Sequence, residues 1–285
     1  MKSVTGIIKR LGRAFMIVVM VVAGSTMLMR FAPGYLSDAR EMDSRYGDAA
    51  RQELSAEALR SATLKQMLSR EFGGWTHGDL GTSRQYDVPV VELILPRLAV
   101  TGGLLLRSIL FAWALALCAA LVSSAGRQSS LLWQSPSTLL LAVPTAAMAT
   151  LCILSDHGGP ILAMTLLVAA RDFKFLDRIL RKAWRDPHLL QARAQGLSTA
   201  RLIYAHILPS IASQLLALAT LSLVTALSAL VPVEVIFSVP GLGQLAWNAA
   251  MNRDLPVLLA VAMFMAVAVT IAGMASDRSD EWRHA

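Results

Sequence analysis

The chain has 285 residues, of which 55% are hydrophobic and 16% are charged, and its mean hydropathy is +0.55. Soluble domains carry about 25% charged residues, so this composition argues against an ordinary soluble enzyme, and it excludes a disordered chain. A bilayer-spanning helix needs about 20 apolar residues, and five or six such helices with their loops would use up the length. We therefore expect an all-α integral membrane protein, and we interpret the net charge of +7 as basic cytoplasmic loops rather than as a nucleic-acid site.

The apolar runs, taken in chain order, predict six transmembrane helices. The first run, residues 14–29, follows four basic residues, and no convincing cleavage site comes after it, so we expect an uncleaved anchor helix. Residues 31–97 are polar and interrupted by glycines, which is typical of a loop subdomain outside the bilayer. The other five spans are expected at residues 98–122, 131–154, 158–172, 211–236 and 256–276. The predicted regions are thus 1–30, 31–97 and a membrane-embedded core over 98–285.

The charges of the loops predict the side of the membrane on which each loop lies. Residues 1–13 hold four basic and no acidic residues, and residues 171–210 hold eight basic against three acidic residues. Residues 31–97 hold eight basic and ten acidic residues. Because loops rich in Lys and Arg stay in the cytoplasm, we expect both termini and residues 171–210 on the cytoplasmic side.

The polar segment 171–210 is the most informative part of the sequence, because it must lie across the cytoplasmic face between two spans. Pro187 is expected to stop one helix, and residues 188–195 can form a short second helix for which Gly196 would be a left-handed cap. Ser198 can then cap the helix that continues into the bilayer. The apolar residues of the short helix suit two roles equally well, a docking surface for another protein or a contact with lipid headgroups.

Three stretches of the sequence resemble the permease subunits of ABC importers, in particular the dipeptide, oligopeptide and nickel branch of that family. The matching stretches are 191–198 with 206–209, 78–83 with 88–90, and 234–243 with 253–257. The first is similar to the family's cytoplasmic EAA loop, the second to its Gly-Asp-Leu-Gly-x-Ser stretch, and the third to its Pro-Gly-Leu-Gly and Arg-Asp-x-Pro pair. The likeness covers nearly the whole chain, and it departs from the family at Tyr35 and Leu36, where Asp-Pro is common.

The resemblance implies a type I ABC importer permease with six transmembrane helices, an external loop subdomain after the first and a cytoplasmic coupling helix between the fourth and fifth. Such a chain forms half of a translocation path for peptides or similar small solutes, with nickel complexes as another cargo class of the family. The implied partners are a second permease subunit, identical or homologous, two cytoplasmic ATPase subunits, an extracytoplasmic solute-binding protein and the lipids of the inner membrane. The residues implied to couple to the ATPase are Gln191, Ala192, Arg193, Ala194, Gly196, Leu197, Ser198, Leu208 and Pro209.

Five further residues are candidates for an outer gate or for the pathway. Arg107 lies about halfway along the second span, where a charge is costly, and a place on the pathway and a structural ion pair are equally open for it. Glu234 matches a family position near the outer end of the fifth span, where an outer gate, a loop anchor or a helix-end hydrogen bond would each account for it. Pro240, Gly241 and Gly243 are expected to form a tight external turn after that span.

The sequence contains no catalytic constellation. The glycines of 73–78 have the spacing of a phosphate-binding loop, but Asp79 follows where that loop requires a lysine. We therefore expect a protein that is not an enzyme and binds no cofactor or metal, while partner chains hydrolyse ATP. Two alternatives remain at this point, a non-transporting membrane scaffold subunit and a self-sufficient carrier, although the internal repeats typical of carriers are not visible. Pro136 and Pro144 are expected to kink the third span.

Overall fold

The computed structural model describes residues 79–125, 129–155, 158–194 and 196–281, together with isolated helical positions between 12 and 27. Within this part of the chain the backbone is helical, apart from loops and one isolated antiparallel bridge between Thr82 and Pro89. Most of the predicted first span and residues 31–78 of the predicted loop subdomain lie outside the described residues.

The helices follow one another along the chain with short connections. They are α1 (Val90–Ala125), α2 (Ser129–Ala142), α3 (Thr145–Leu154), α4 (Pro160–Ala183), α5 (Pro187–Ala194), α6 (Thr199–Leu202), α7 (Leu208–Ile236), α8 (Leu242–Met251) and α9 (Leu255–Glu281). A π-helical turn, Ile203–Ile207, joins α6 to α7.

Three of the described helical stretches are long and apolar enough to cross a membrane. These are Val90–Ser124, Thr199–Ile236 and Leu255–Met274. The pair formed by α2 and α3 would be a fourth span if it is counted as one broken helix. The described part of the chain is thus helical, and it has three or four stretches that are long and apolar enough to be the spans of a multi-pass membrane protein.

The predicted third span is bent rather than straight. α2 ends at Ala142, α3 begins at Thr145, and the axes of the two helical pieces differ by 102°. Pro144 has extended backbone at the start of α3, with φ −57° and ψ 143°. Proline clashes with a preceding helical residue and has no amide hydrogen, so the break falls at Pro144, while Pro136 is accommodated within α2.

The helix α4 continues from the predicted short fourth span into the polar segment. Its N-terminal half contains buried apolar residues such as Met164 and Val168, and its last turn carries Arg181 and Lys182. Because its composition changes from apolar to charged, α4 as a whole is not apolar enough to count as a membrane span. The helix continues beyond Arg171, as the sequence predicted.

Two compact units make up the chain. Unit 1 comprises Met1–Val100 and Pro240–Thr270, and unit 2 comprises Thr101–Val239 and Ile271–Ala285. The described core of unit 1 is built from buried apolar side chains of the loop before α1, the start of α1, α8 and the start of α9: Leu80, Val90, Ile94, Leu242, Leu245, Ala249, Val257, Ala260 and Val261. α1 begins at Val90, within the stretch 31–97 that the sequence assigned to the loop subdomain. Its residues Val90 and Ile94 belong to this core.

In unit 2, the long helix α7 packs against α4 and α3, and α4 also packs against α2. The most deeply buried large side chains of these helices include Met164, Leu176, Leu180 and Leu230. α4 thus lies at the centre of unit 2, and the polar segment that follows it starts from a firmly packed helix.

Candidate functional site

The polar segment predicted to contact a partner contains the short helix α5. Asp186 precedes it, and the backbone carbonyl of Asp186 accepts a hydrogen bond from the amide of Leu189 at 3.0 Å. The sequence suggested that Pro187 stops a helix, but α4 already ends at Ala183 and Pro187 is the first residue of α5. Proline suits that position because its fixed φ is helical and its missing amide hydrogen would have no partner there.

Gly196 forms the left-handed cap that the sequence predicted for this helix. Its φ is +80°, and the amide of Leu197 donates to the carbonyl of Ala192 at 3.4 Å. This is the hydrogen bond of a Schellman motif, in which a left-handed residue reverses the chain after a helix. A Cβ atom built on Gly196 would meet nothing within 4 Å, so the backbone conformation, not a lack of space, favours glycine there.

Ser198 caps the next helix, also as predicted. Its hydroxyl oxygen accepts a hydrogen bond from the amide of Arg201 at 3.5 Å. The turn between α5 and α6 is therefore held on both sides, by the glycine that ends one helix and by the serine that begins the next.

The π-helical turn Ile203–Ile207 leads into Leu208 and Pro209 at the start of α7. A proline ring clashes with the carbonyl four residues before it, here that of Ala205. Widening the helix to a π-turn removes this clash without ending the helix, and such turns are frequent at functional sites. The Leu-Pro pair of the resemblance thus has a local structural consequence that the sequence analysis missed.

The described side chains of the predicted coupling residues divide between the surface and the interior. Gln191, Gly196 and Ser198 are exposed, and Leu197 is half-buried. Ala192 is buried, so it packs against its own chain. The resemblance had instead implied that Ala192 contacts the ATPase. The side chains of Arg193 and Ala194 lie outside the described part of the structure.

Polar contacts attach α4 to the C-terminal end of α1 just before the coupling segment. The Nε of Arg181 donates to both carboxylate oxygens of Asp177, at 3.0 and 2.9 Å. Its Nη2 donates to the carbonyl and the hydroxyl of Ser123, at 2.7 and 2.9 Å. The indole nitrogen of Trp184 donates to the hydroxyl of Ser124 at 3.3 Å. These contacts, which the sequence analysis missed, connect the helix preceding α5 to the end of a transmembrane helix.

A buried carboxylate lies deeper in unit 2. Asp172 is fully buried, and its Oδ2 accepts a hydrogen bond from Ser222 at 2.7 Å. The indole nitrogen of Trp113 in turn donates to the Ser222 hydroxyl at 3.0 Å, so the three residues connect α4, α7 and α1. The second oxygen, Oδ1, is buried without a hydrogen-bond partner among the described residues. Asp172 is one of the three acidic residues of the predicted polar segment 171–210, but helical spacing from Val168 to Leu176 places it on the apolar face of α4.

Glu234, a predicted gate or pathway residue, is fully buried in unit 2. Its Oε1 accepts a hydrogen bond from the Thr101 hydroxyl at 2.7 Å, and its backbone carbonyl accepts one from the amide of Val239 at 2.8 Å. Glu234 therefore connects α7 to α1 and anchors the chain that leaves α7.

The turn after α7 differs from the prediction that glycines would bend it. Ser238 is the left-handed residue, with φ +53°, whereas Gly241 has φ −108° and precedes α8. Gly243 lies buried in the first turn of α8, and Pro240 immediately precedes Gly241. The reason is the hydrogen bond from Val239 to Glu234, which closes a Schellman motif at Ser238 and leaves the glycines in ordinary conformations.

Arg107 lies near the midpoint of α1 with its side chain exposed. It makes no hydrogen bond or ion pair within the described part of the chain. Its Nη2 lies 3.7 Å from the position that a Cβ atom would take on Gly103, one turn earlier. The described residues thus supply no ion pair for Arg107.

Unit 1 brings together two of the stretches that carried the family resemblance. Asp254 is buried, and its carboxylate accepts hydrogen bonds from the Ser83 hydroxyl and from the amides of Arg84 and Gln85, the latter two at 3.2 Å. The loop before α1 is thereby fixed to the start of α9. Both motifs are visible in the sequence, but no local pattern indicates that they pair across the chain.

Comparisons with known proteins agree with this architecture. Residues 105–282 match the family model of binding-protein-dependent transport system inner membrane components. The oligopeptide transport system permease protein AppB of Bacillus subtilis is 26% identical, over 95% of this chain and 95% of its own length. The dipeptide transport system permease protein DppB of Escherichia coli is 22% identical over 79% of this chain and 81% of its own. The metal-staphylopine import system permease protein CntB of Staphylococcus aureus is 23% identical over 95% and 94%.

The family match covers more than half of the chain, and the relatives align over most of their own lengths. With the apolar helices of the described part, these matches favour a transport permease over a scaffold. The chain belongs to the family of binding-protein-dependent transport system inner membrane components, and it is a permease subunit of an ABC importer.

Proposed function

We propose that this permease transports peptides and that the surface around α5 and Ser198 couples it to a separate ATPase. The observation that carries the coupling proposal is the doubly capped turn, in which Gly196 ends α5 and Ser198 begins α6. A turn fixed on both sides moves as one piece, and it presents the exposed Gln191 and Ser198 to a partner. Such a surface suits the transmission of a movement better than a loose loop does.

The contacts of Arg181 and Trp184 give this movement a route into the membrane. They connect the end of α4, directly before α5, to Ser123 and Ser124 at the end of α1. A displacement of α5 by a closing ATPase pair would therefore be transmitted to α1 as well as to α7. Two packed arrangements of these helices would correspond to the inward-open and outward-open states.

The full assembly that we propose follows the family. Two cytoplasmic ATPases hydrolyse ATP, a second permease subunit completes the path, and an extracytoplasmic binding protein delivers the solute. The chain would have six spans, an external loop subdomain over residues 31–97 before a permease core over 98–285, and both termini in the cytoplasm of a cell with an inner membrane. Peptides are the proposed cargo because relatives named for oligopeptide and dipeptide transport align with most of this chain.

Site-directed cross-linking tests the coupling surface. In a background in which Cys118 and Cys152 are replaced by Ser, we would introduce Gln191→Cys and, as the matched control, Gln85→Cys, since both glutamines are exposed. The transporter, purified with its ATPase subunits, is treated with a short cross-linker that has a maleimide for the introduced thiol and a photoreactive group for any neighbouring side chain, and it is labelled with a photoreactive ATP analogue. We expect a cross-linked product that carries the ATP label with Gln191→Cys and none with Gln85→Cys. Equal cross-linking at both positions, or none at Gln191→Cys, would contradict the proposal.

A further inference from the structure

Arg107 is a charged residue for which the described part of the chain supplies no partner. It is the single charged residue in the apolar stretch 98–122 of the sequence. Its side chain is exposed near the middle of α1 and has no hydrogen-bond or ion-pair partner in the described part of the chain. A guanidinium carries five hydrogen-bond donors and stays charged at any physiological pH, so its surroundings must provide acceptors.

Two other charged side chains of unit 2 are satisfied within the chain. Glu234 accepts a hydrogen bond from Thr101, and Asp177 pairs with Arg181. A charge exposed to hydrocarbon is costly, and ionisable residues within transmembrane helices almost always face the interior of a bundle or a water-filled cavity. The face of α1 that carries Arg107 is therefore not expected to face lipid.

The residues on the same face of α1 describe the surroundings of the guanidinium. Gly103 lies one turn before Arg107, and Phe111 lies one turn after it, with 59% of its surface exposed. Ala114 and Cys118 continue this exposed face. Gly103 leaves room beside the guanidinium, and Phe111 adds an apolar ring one turn away, with about 5–6 Å between Cβ atoms at that spacing.

We propose that Arg107 lines the translocation path and binds the carboxylate of the transported solute, while Phe111 contacts an apolar group next to that carboxylate. The C-terminal residue of a peptide has this combination, because its carboxylate and its side chain are attached to the same Cα atom. The planar guanidinium matches a carboxylate with two parallel hydrogen bonds. This inference rests on the proposed peptide transport and adds a solute-binding residue to it.

Uptake by the complete transporter, reconstituted in vesicles with its ATPases and binding protein, tests the inference. The probe is a mixture of di- to tetrapeptides with free C-termini, quantified by mass spectrometry, and the variants are Arg107→Gln, Arg107→Lys and the control Leu106→Gln. Leu106 is the preceding residue and is 61% exposed. Loss of a hydrogen-bonded charge contact corresponds to about a tenfold effect, so we expect about tenfold slower uptake with Arg107→Gln and a smaller loss with Arg107→Lys. Leu106→Gln should match the wild type.

A second measurement reports binding directly. Ala114→Cys, with Cys118 and Cys152 replaced by Ser, is labelled with a water-soluble thiosulfonate while the same peptides or their C-terminal amides are present. We expect free peptides, but not the amides, to slow the labelling, and we expect this protection to disappear when Arg107→Gln is added. Labelling that is absent altogether, or equal protection with and without Arg107, would overturn the assignment of Arg107 to the path.

The outcomes separate this inference from the function on which it rests. If the wild-type transporter takes up no peptide, the peptide assignment is wrong and the inference falls with it. If the wild type transports peptides and Arg107→Gln is equally active, the inference alone is wrong. If Arg107→Gln no longer co-purifies with the second permease subunit while Leu106→Gln does, the guanidinium pairs with a carboxylate of that subunit, which also overturns the inference.

Discussion

Left-handed residues end three of the described helices in the same way. Gly196, Ser238 and Arg253 have φ values of +80°, +53° and +55°. In each case the amide of the next residue donates to a carbonyl five residues before it, at 3.4, 2.8 and 2.8 Å. A left-handed conformation costs a residue other than glycine about 1–2 kcal/mol. Ser238 and Arg253 adopt the left-handed conformation despite this cost, whereas the glycine at the proposed coupling turn avoids it.

Replacing Gly196 by valine tests the coupling turn at the level of one residue. A β-branched residue strongly disfavours φ +80°, and a Cβ atom built on Gly196 meets no atom of this chain within 4 Å, so the expected effect arises from the backbone conformation. We expect Gly196→Val to lower the number of peptides imported per ATP hydrolysed in reconstituted vesicles. Gly196→Asn is the control, because Asn tolerates the left-handed region, and it should stay close to the wild type. Equal coupling in the valine variant and the wild type would contradict the role of this turn.

The Ser222 hydroxyl has a predictable energetic role because it is the described hydrogen-bond partner of the buried Asp172 carboxylate. Ser222→Ala leaves that carboxylate without this donor, and such a loss costs about 2–3 kcal/mol. Ser228→Ala is the matched control, since Ser228 lies on the same helix, is exposed, and donates to the carbonyl of Val224 at 2.9 Å. Unfolding in mixed micelles should show a clear destabilisation for Ser222→Ala and a change within about 0.5 kcal/mol for Ser228→Ala. Equal stabilities would show that Asp172 does not depend on Ser222.

Helix ends that depend on local chemistry could be predicted from the sequence. Gly196 follows a short predicted helix and Ser198 precedes the next helix, and the structure has both as caps. Pro144 likewise breaks the third span, as predicted. The size of the bend, 102°, could not be predicted from the sequence, because the helices on either side of it pack against α4 and α7. Ser238 could not be predicted, because a serine rarely adopts positive φ and its motif depends on where α7 ends.

Contacts between segments distant in sequence could not be predicted from local sequence patterns. The clamp formed by Asp254 joins two stretches about 170 residues apart, since Asp254 contacts Ser83 and the two residues after it. Glu234 and Asp172 are buried for the same kind of reason, because helices distant in sequence supply Thr101 and Ser222. A single sequence gives the polarity of such residues, but not the partners that satisfy them.

At the level of an element, the loop before α1 should loosen when its clamp is removed. Asp254→Ala deletes the acceptor of the Arg84 and Gln85 amides, so hydrogen exchange at both amides should accelerate. Asp79→Ala is the control, because Asp79 is exposed and its Oδ1 accepts a hydrogen bond from the amide of Gly81 at 2.8 Å. Its removal should affect exchange at Gly81 and leave residues 84 and 85 unchanged. Unaltered exchange at those two residues in Asp254→Ala would show that the clamp does not hold the loop.

For the whole molecule, the number of spans depends on α2, α3 and α4. The bent pair of α2 and α3 could cross the membrane as a broken span or return to the same side, and α4 combines an apolar start with a charged end. Residues 158–159 lie between these elements. If both cross, as six spans require, this connection lies outside the cell; if neither crosses, it lies in the cytoplasm with residue 191.

Gly159→Cys distinguishes these two arrangements. Gly159 is exposed, has φ −91°, and has no atom within 4 Å of a built Cβ, so a cysteine fits there without strain. With Cys118 and Cys152 replaced by Ser, a membrane-impermeant maleimide should label Gly159→Cys and Gln85→Cys in intact spheroplasts, and Gln191→Cys only after permeabilisation. The reason is that two crossings separate residue 85 from residue 159, and three separate it from residue 191. If Gly159→Cys resists labelling until permeabilisation, as Gln191→Cys does, then α2, α3 and α4 do not cross as proposed, and the chain has fewer than six spans.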